Sequence, residues 1–413
     1  MVSATLTTEI EVASIAAGGD GVGRADGMAV FVPRSAPGDL LLARLTVKGR
    51  FARGEIEQII RPSPDRIAPP CVHYVEDRCG GCQLQHLQYP AQLAAKRGIV
   101  VDSLARIAKR TVTLHEVAPS ERQWRYRRKL TLAMRKAGGR WIAGLHPYDD
   151  PDGVFDLRDC PITDERVIDV WAEILRASAR LPKVTRLRGS VRLLDVGASF
   201  VLEGGDTWDG VQSFFNSCPS LRVLWWAPEE QRRRIVASRG EGDRGGASFA
   251  QVNVAVGEAL HSYVVERVAT YRPSSVVDAY SGTGETAARI AAAGAHVTAI
   301  ESDREAASLA ASRLPPGSRA LSGRVEDLLD RALPADVVVL NPPRAGIDGR
   351  VATLLQNQHD GARAIVYVSC DPATLARDLA RMPRFRIANV VAFDMFPQTA
   401  HVETVCELVP EDV

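Results

Sequence analysis

The chain has 413 residues, of which 46% are hydrophobic and 24% charged, with a net charge of +1. That length and balance suit two to four ordinary core-forming domains, and near-neutrality excludes a global electrostatic field as the means of holding a polyanion. No apolar run approaches the roughly 18 residues that cross a bilayer, the first residues lack the basic start and apolar core of a secretory leader, and seven cysteines without one argue against a disulfide framework; a cytoplasmic monomer without membrane contact is expected.

Residues 1–62 read as short strands, including alternating runs at 28–33 and 39–47 separated by Gly and Pro turns. So many strands in so few residues predict a small barrel. A Pro-rich connector at 61–70 leads to a cysteine cluster, and the 63–245 stretch reads as a mixed α+β domain with a helix near 92–109. Two basic stretches stand out, Arg122-Gln-Trp-Arg-Tyr-Arg-Arg-Lys129 and Gln231-Arg-Arg-Arg234. The first interleaves Trp124 and Tyr126 with cations, a pattern that can hold phosphates and stack a base; the plainer alternative is a solvated strand or helix face. Residues 239–246, rich in Gly, read as a joint or hairpin tip. From about 246 to 413, strands at 275–280, 296–300, 335–340 and 364–369 alternate with helices at 285–293 and 304–314. This predicts an α/β, doubly wound, Rossmann-like sheet with ligands at the carboxyl ends of its strands.

The Asp278-Ala-Tyr-Ser-Gly-Thr-Gly284 loop joins a strand to a helix, and Gly282 and Gly284 let backbone approach a ligand. Ala287 completes a dinucleotide-type pattern, but Asp278 just before the turn suits the ammonium group of S-adenosylmethionine better than a pyrophosphate. Glu301, ending the next strand, can accept bonds from ribose hydroxyls. In Asn341-Pro-Pro-Arg344 the prolines stiffen the backbone and leave carbonyls and the Asn amide to meet a ligand. Cys370 ends a strand, with Asp371 as N-cap and Pro372 in the first helical turn. A helix N-terminus is expected to lower the thiol's pKa from about 8.5, as a nucleophile requires. Such a thiolate can add to C6 of uracil and make C5 able to take a methyl group. A base must then remove the C5 proton; Glu403, in the last strand pair, is the candidate. Cys71, Cys79, Cys82 and Cys160 could hold a zinc ion or an iron–sulfur cluster, or no metal at all. Cys218 and Cys406 are expected to be packing residues.

These motifs resemble, over nearly the whole chain, the uracil-C5 RNA methyltransferase family. Gly18-Gly-Asp-Gly-Val-Gly-Arg24, Phe31-Val-Pro33 and Pro37-Gly-Asp39 resemble its TRAM domain, an OB-like RNA-binding barrel. Ser369-Cys-Asp-Pro-Ala-Thr-Leu-Ala-Arg-Asp378 is the most specific string. The resemblance implies a class I S-adenosylmethionine methyltransferase domain, Cys370 as nucleophile, Glu403 as base, and cofactor contacts from Gln251, Tyr280, Glu285, Glu301 and Asn341. Cys79-Gly-Gly-Cys82 with Gln83 and His86 implies a [4Fe-4S] cluster on Cys71, Cys79, Cys82 and Cys160, with zinc as the alternative. Two positions depart from the family: Asn341 stands where Asp is usual, and Glu285 where Asn is frequent. The barrel and cluster together resemble the enzymes of 23S rRNA more than those of tRNA, making 23S rRNA the expected substrate. The alternatives are a tRNA enzyme, an amino-methyltransferase of the Asn-Pro-Pro type, a non-catalytic RNA-binding protein and, from the Gly loop alone, a dehydrogenase.

Overall fold

The computed structural model describes residues 6–240, 251–357 and 361–411. Its contacts divide the chain into two compact units, one of Met1–Ile67, His86–Glu121 and Val254–Val413, the other of Ala68–Gln85 and Arg122–Asn253.

The first unit holds two sheets. The N-terminal one has six strands in the order Leu6–Glu11, Leu40–Lys48, Phe51–Arg61, Met28–Val32, Gly21–Ala25, Ser14–Ile15. The period-2 pattern turns Leu41, Ala43 and Leu45 inward against Ile10, Val30 and Val32. Asp39, fully buried, accepts from the backbone of Ala36 and Ser63 and from the guanidinium of Arg66. A buried carboxylate needs this degree of pairing.

The other sheet has eight strands: Arg319–Ser322, His296–Glu301, Ser275–Ala279, Val337–Leu340, Ala364–Ser369, Glu403–Pro410, Phe385–Phe393 and Val117–Ala118. The first five run parallel, and Glu403–Pro410 lies antiparallel to both of its neighbours. Every residue of Val337–Leu340 and Ala364–Ser369 is buried, as parallel strands covered on both faces require. Leu355 and Leu379 pack on one face of the sheet, Leu260 and Ile290 on the other.

The chain reaches this sheet by a route that the contiguous 63–245 domain did not anticipate. The helix Tyr89–Arg106 sends Val100 and Leu104 into the same core as Leu379, and Val117–Ala118 adds an edge strand beside Phe385–Phe393. Non-local burial decides this, and no local pattern encodes it.

The second unit has a six-stranded sheet in the order Arg234–Ser238, Leu221–Ala227, Ala198–Glu203, Arg186–Leu193, Lys129–Ala137, Arg140–Gly144. The helix Glu165–Arg176, capped by Asp164 accepting from the Arg166 N–H, buries Val167, Val170, Trp171 and Ile174 in a core with Leu130, Leu132 and Phe200. Among the described residues, no helix is long and apolar enough to cross a membrane.

Candidate active site

Cys370 lies between the fully buried strand Ala364–Ser369 and the helix Pro372–Ala380. The turn is pinned from both sides. The Ser369 hydroxyl donates to the Asp371 carbonyl at 3.0 Å, and the Asp371 N–H donates to the Ser369 hydroxyl at 3.2 Å. Asp371 caps the helix by accepting from the Thr374 N–H at 2.8 Å. The thiol is half-buried rather than sealed in the core. Burial raises its pKa, the charge of Glu403 raises it further, Arg344 opposes both, and Asp371 adds to the rise. The lowered pKa expected from the helix terminus is therefore corrected. Desolvation and two nearby carboxylates outweigh the partial charge of the helix end.

Glu403 opens the strand Glu403–Pro410 and is 5% exposed. Burial pushes its carboxyl up to about 7, and Arg344 alone pulls it back. Arg344 thus bears on both groups, a part that sequence reading gave it only as a letter in a motif. Its loop is held from the neighbouring helix. Thr374 donates its hydroxyl to the Arg344 carbonyl at 3.2 Å, and Arg377 donates to the Ala345 carbonyl at 2.6 Å. Asp378, fully buried, accepts from the Ile347 N–H and the Tyr367 hydroxyl and pairs with Arg377. Gly346 stands at φ 80°, and a Cβ there would lie 2.2 Å from Asp378 Oδ2, so the loop can approach only through glycine.

At the carboxyl end of Ser275–Ala279, Asp278 is 1% exposed. The Ala287 N–H reaches its carboxyl, while Oδ2 has no protein partner. Burial lifts this carboxyl to about 7, with Glu301 contributing. Glu301 accepts from the Gly282 N–H at 3.0 Å and the Asp303 N–H at 2.7 Å, so it shapes the loop as well as facing it. The two glycines differ in their reasons. A Cβ at Gly282 would meet nothing within 4 Å, whereas at Gly284 it would strike Ala310 at 2.7 Å. Only Gly282 leaves an open approach; Gly284 is required by helix packing. Tyr280 adopts φ 63°, a left-handed backbone rare for a bulky residue. The half-exposed Glu285 reaches His261 at 3.6 Å and Arg313 at 4.0 Å. Asn341 is half-buried, its N–H bound to the Ala279 carbonyl at 3.2 Å. Gln251 is half-buried and belongs to the second unit; residues 241–250, just before it, lie outside the described residues.

Within the second unit Cys71, Cys79, Cys82 and Cys160 are all buried. Burial raises the Cys82 thiol above its ordinary range, and the charges of Cys160, Cys79 and Cys71 add to the rise, so the four sulfurs are electrostatic neighbours. The Gly81 N–H donates to Cys79 Sγ at 3.4 Å. Among the described residues, no three His, Cys, Asp or Glu side chains close on a point that could hold a single metal ion. The reading of the basic stretch 122–129 is corrected at two positions, while Arg122 stays exposed and Trp124 half-buried. Tyr126 is buried and cannot stack a base, and Arg125 grips Asp159 at 2.7 and 2.8 Å. Here the cation fixes the cysteine segment instead of holding a phosphate. Cys218 and Cys406 are fully buried, as packing residues should be.

Comparisons with known proteins agree with this geometry. Residues 317–409, which include Asn341, Cys370 and Glu403, match the family described as tRNA (Uracil-5-)-methyltransferase. An uncharacterized RNA methyltransferase of Thermosynechococcus vestitus is 32% identical over 452 residues, covering 97% of this chain and 98% of its own. A second, from Protochlamydia amoebophila, is 29% identical and covers 98% of both chains. The crystal structure of Pyrococcus abyssi tRNA (uracil-54, C5)-methyltransferase in complex with S-adenosyl-L-homocysteine superposes with a TM-score of 0.69 at 25% identity, over 98% of this chain and 99% of that one. With a mixed α/β sheet, a glycine cradle and a strand-end cysteine beside a buried glutamate, the chain belongs to the RNA uracil-5-methyltransferase family, S-adenosylmethionine-dependent enzymes that act on RNA.

Proposed function

We propose that the protein methylates C5 of a uridine in RNA through a covalent adduct with Cys370. The observation that carries this is the pairing of a half-exposed thiol with a buried carboxyl held near neutrality, both under the influence of Arg344. Cys370 loses its proton to solvent, eased by Arg344, and its sulfur bonds to C6 of the ring. The electron pair displaced from the C5–C6 double bond makes C5 nucleophilic. S-adenosylmethionine supplies the methyl group, leaving as S-adenosylhomocysteine. Glu403 then takes the C5 proton, the C5–C6 double bond returns and the C6–S bond breaks, which frees the thiolate. A base with a pKa near 7 is matched to this task. Asp278, with one buried oxygen lacking a protein donor, is assigned to the cofactor's ammonium group, since such an oxygen is costly without one. Glu301 is assigned to the ribose, and Tyr280, Gly282, Gly284, Glu285, Asn341 and Gln251 to the remaining cofactor contacts.

The four cysteines of the second unit are assigned to a [4Fe-4S] cluster. Four buried thiols close enough to influence one another support this assignment. The cluster supplies structural bracing there, since methyl transfer moves no net electrons. The 1–62 sheet is assigned a TRAM-like RNA-binding role. The target is taken as 23S rRNA, acted on by a cytoplasmic monomer. A tRNA target is the second reading, favoured by the Pyrococcus abyssi tRNA enzyme, whose chain matches this one over its whole length.

Two measurements test the proposal. RNA containing 5-fluorouridine should form a denaturation-resistant adduct with the wild type and none with Cys370→Ala. Mapping 5-methyluridine in rRNA and tRNA from cells lacking the gene should show one site lost. If every 5-methyluridine persists, the function is wrong.

A further inference from the structure

The segment 394–402 links the strands Phe385–Phe393 and Glu403–Pro410 without regular structure, yet nearly all of it is buried. Asp394, Met395, Gln398, Thr399, Ala400 and Val402 are at most 4% exposed. A buried loop is costly, because its backbone polar groups need partners that no ladder provides. Here the partners come largely from one face of the helix Tyr89–Arg106. Gln92 and Lys96, both buried, stand four positions apart and so lie on the same side of that helix. Lys96 holds Asp394 and donates to the Phe396 carbonyl. Gln92 holds Gln398 twice. Its Oε1 accepts from the Gln398 N–H at 3.0 Å, and its Nε2 donates to Gln398 Oε1 at 2.9 Å. The same Nε2 donates to the Leu87 carbonyl at 2.9 Å, so the carboxamide uses its acceptor and both of its donor hydrogens.

Gln398 needs this hold. Its φ of 72° is left-handed, which is uncommon for a residue with a side chain. Such strain persists only where the surroundings over-determine it, and it gathers at functional sites. From Gln398 the constraint runs toward the buried carboxyl of Glu403. Thr399 donates its hydroxyl to the Phe396 carbonyl at 2.9 Å and accepts from the His401 N–H at 3.3 Å. Val402 is sunk in the core that also holds Leu379, and Glu403 follows it. The ladder with Ala364–Ser369 stops one residue short of Glu403, at Thr404. On the Cys370 side, then, this loop and not a ladder sets where the carboxyl sits.

We propose that Gln92 and Gln398 are positioning residues for proton abstraction: their reciprocal amide pair locks the loop that aims Glu403 at the C5 proton. The inference rests on the methylation reading above and adds what holds the base. A general base must lie within hydrogen-bond reach of the proton it removes, and a displacement of about 1 Å can cost about a hundredfold in rate. Attack by Cys370 asks nothing of this loop, because the thiol is carried by the turn between Ala364–Ser369 and Pro372–Ala380. Loosening the pair should therefore slow release of the adduct and spare its formation.

The test uses full-length Gln92→Met, Gln398→Gly and the double variant, with RNA carrying uridine or 5-fluorouridine. Gln92→Met keeps the length and removes the acceptor and donors. Gln398→Gly suits the left-handed backbone and removes only the side-chain bond. Gln92→Met should lower kcat by about tenfold or more, and Gln398→Gly should lower it in the same direction. Adduct with uridine RNA should accumulate on a denaturing gel. The rate of adduct formation on 5-fluorouridine RNA and the Tm shift caused by S-adenosylhomocysteine should match the wild type. The rise of kcat with pH, expected through about 7, should move toward 4.5. A loosened loop admits water to a carboxyl that burial holds up and that Arg344 alone pulls down. The double variant should lose no more than Gln92→Met, since both break one pair. Wild-type kcat and pH profile in a folded Gln92→Met protein overturn the proposal. Equal slowing of adduct formation and turnover also overturns it, by marking a merely structural role. Should Gln92→Met fail to fold, Gln398→Gly decides on the same criteria. A wild type that forms neither 5-fluorouridine adduct nor 5-methyluridine instead overturns the methylation reading itself.

Discussion

Cys370 and Glu403 occupy the rung that would follow Ser369↔Thr404 in the antiparallel pair of Ala364–Ser369 and Glu403–Pro410. Continuing that register turns both side chains to the same side of the sheet. The sequence separates them by 33 positions, and one strand pairing joins them. Burial raises both groups, the charge of Glu403 raises Cys370 further, and Arg344 opposes on both.

This pairing fixes the pH behaviour of Glu403. Its folded pKa of about 7 lies above the ordinary 4.5, so folding favours the protonated form. The stability it contributes is full below pH 4.5 and is lost as pH rises through about 7. Glu403→Gln should therefore be more stable than wild type at pH 8, by up to about 3 kcal/mol, and equally stable only below about pH 4.5. Turnover by the wild type should rise through pH 7 as the base ionises. The Gln variant should accumulate protein–RNA adduct on a denaturing gel. Rapid release by that variant removes Glu403 from the role of base.

Asp378 should act on catalysis without touching substrate. Asp378→Asn weakens the pairing with Arg377 and the hold on the loop carrying Arg344. A small displacement of a positioned group can cost about a hundredfold in rate. We expect kcat to fall tenfold to a hundredfold, by roughly that reasoning, with the S-adenosylhomocysteine Tm shift retained. Stopped-flow or single-turnover methylation with saturating RNA measures this; an unaltered kcat would show that the loop holds itself.

Lys96 and Asp394 form an ion pair with both side chains fully buried, and Lys96 also donates to the Phe396 carbonyl at 2.9 Å. It fastens the helix Tyr89–Arg106 to the segment leading to Glu403. Lys96→Met alone leaves an uncompensated buried carboxylate and should destabilise by about 3–5 kcal/mol. Lys96→Met/Asp394→Leu should recover most of that loss. Urea unfolding of the three proteins decides it; a double variant as unstable as the single one would show that the pair does more than neutralise itself.

Substitution of Cys82 by Ala should abolish bound iron and sulfide in protein purified without oxygen and lower Tm by several degrees, as loss of a bound group does. The adduct with 5-fluorouridine RNA should still form, because Cys370 belongs to the other unit. Iron content unchanged from wild type would exclude Cys82 as a ligand.

Much of the C-terminal sheet was legible in the chain. Its buried strands are continuous Val and Ile runs, its turns carry Gly or Pro, and the strand at 364–369 coincides with that observed. The string around Cys370 also declared itself, because a helix start fixes Asp371 and Pro372 at set offsets. The direction of the thiol's pKa was not legible. It depends on how deeply Cys370 is buried and on Glu403 and Arg344, which only the fold brings near. Tyr126 illustrates the same limit: the alternation of aromatics and cations is visible, but which of these side chains turns into the core is not.

The sequence by itself determined the element types and the chemical inventory: a thiol at a strand end, a glycine cradle, four clustered cysteines and the acid near the terminus. These are local, set by periodicity, turn chemistry and capping within a few residues. Tertiary structure alone decided that Tyr89–Arg106 joins the catalytic core, that Arg344 lies within reach of both Cys370 and Glu403, and that Gln92 meets Gln398. Those outcomes depend on strand register and burial between distant segments, where a single-residue slip would turn every side chain to the opposite face.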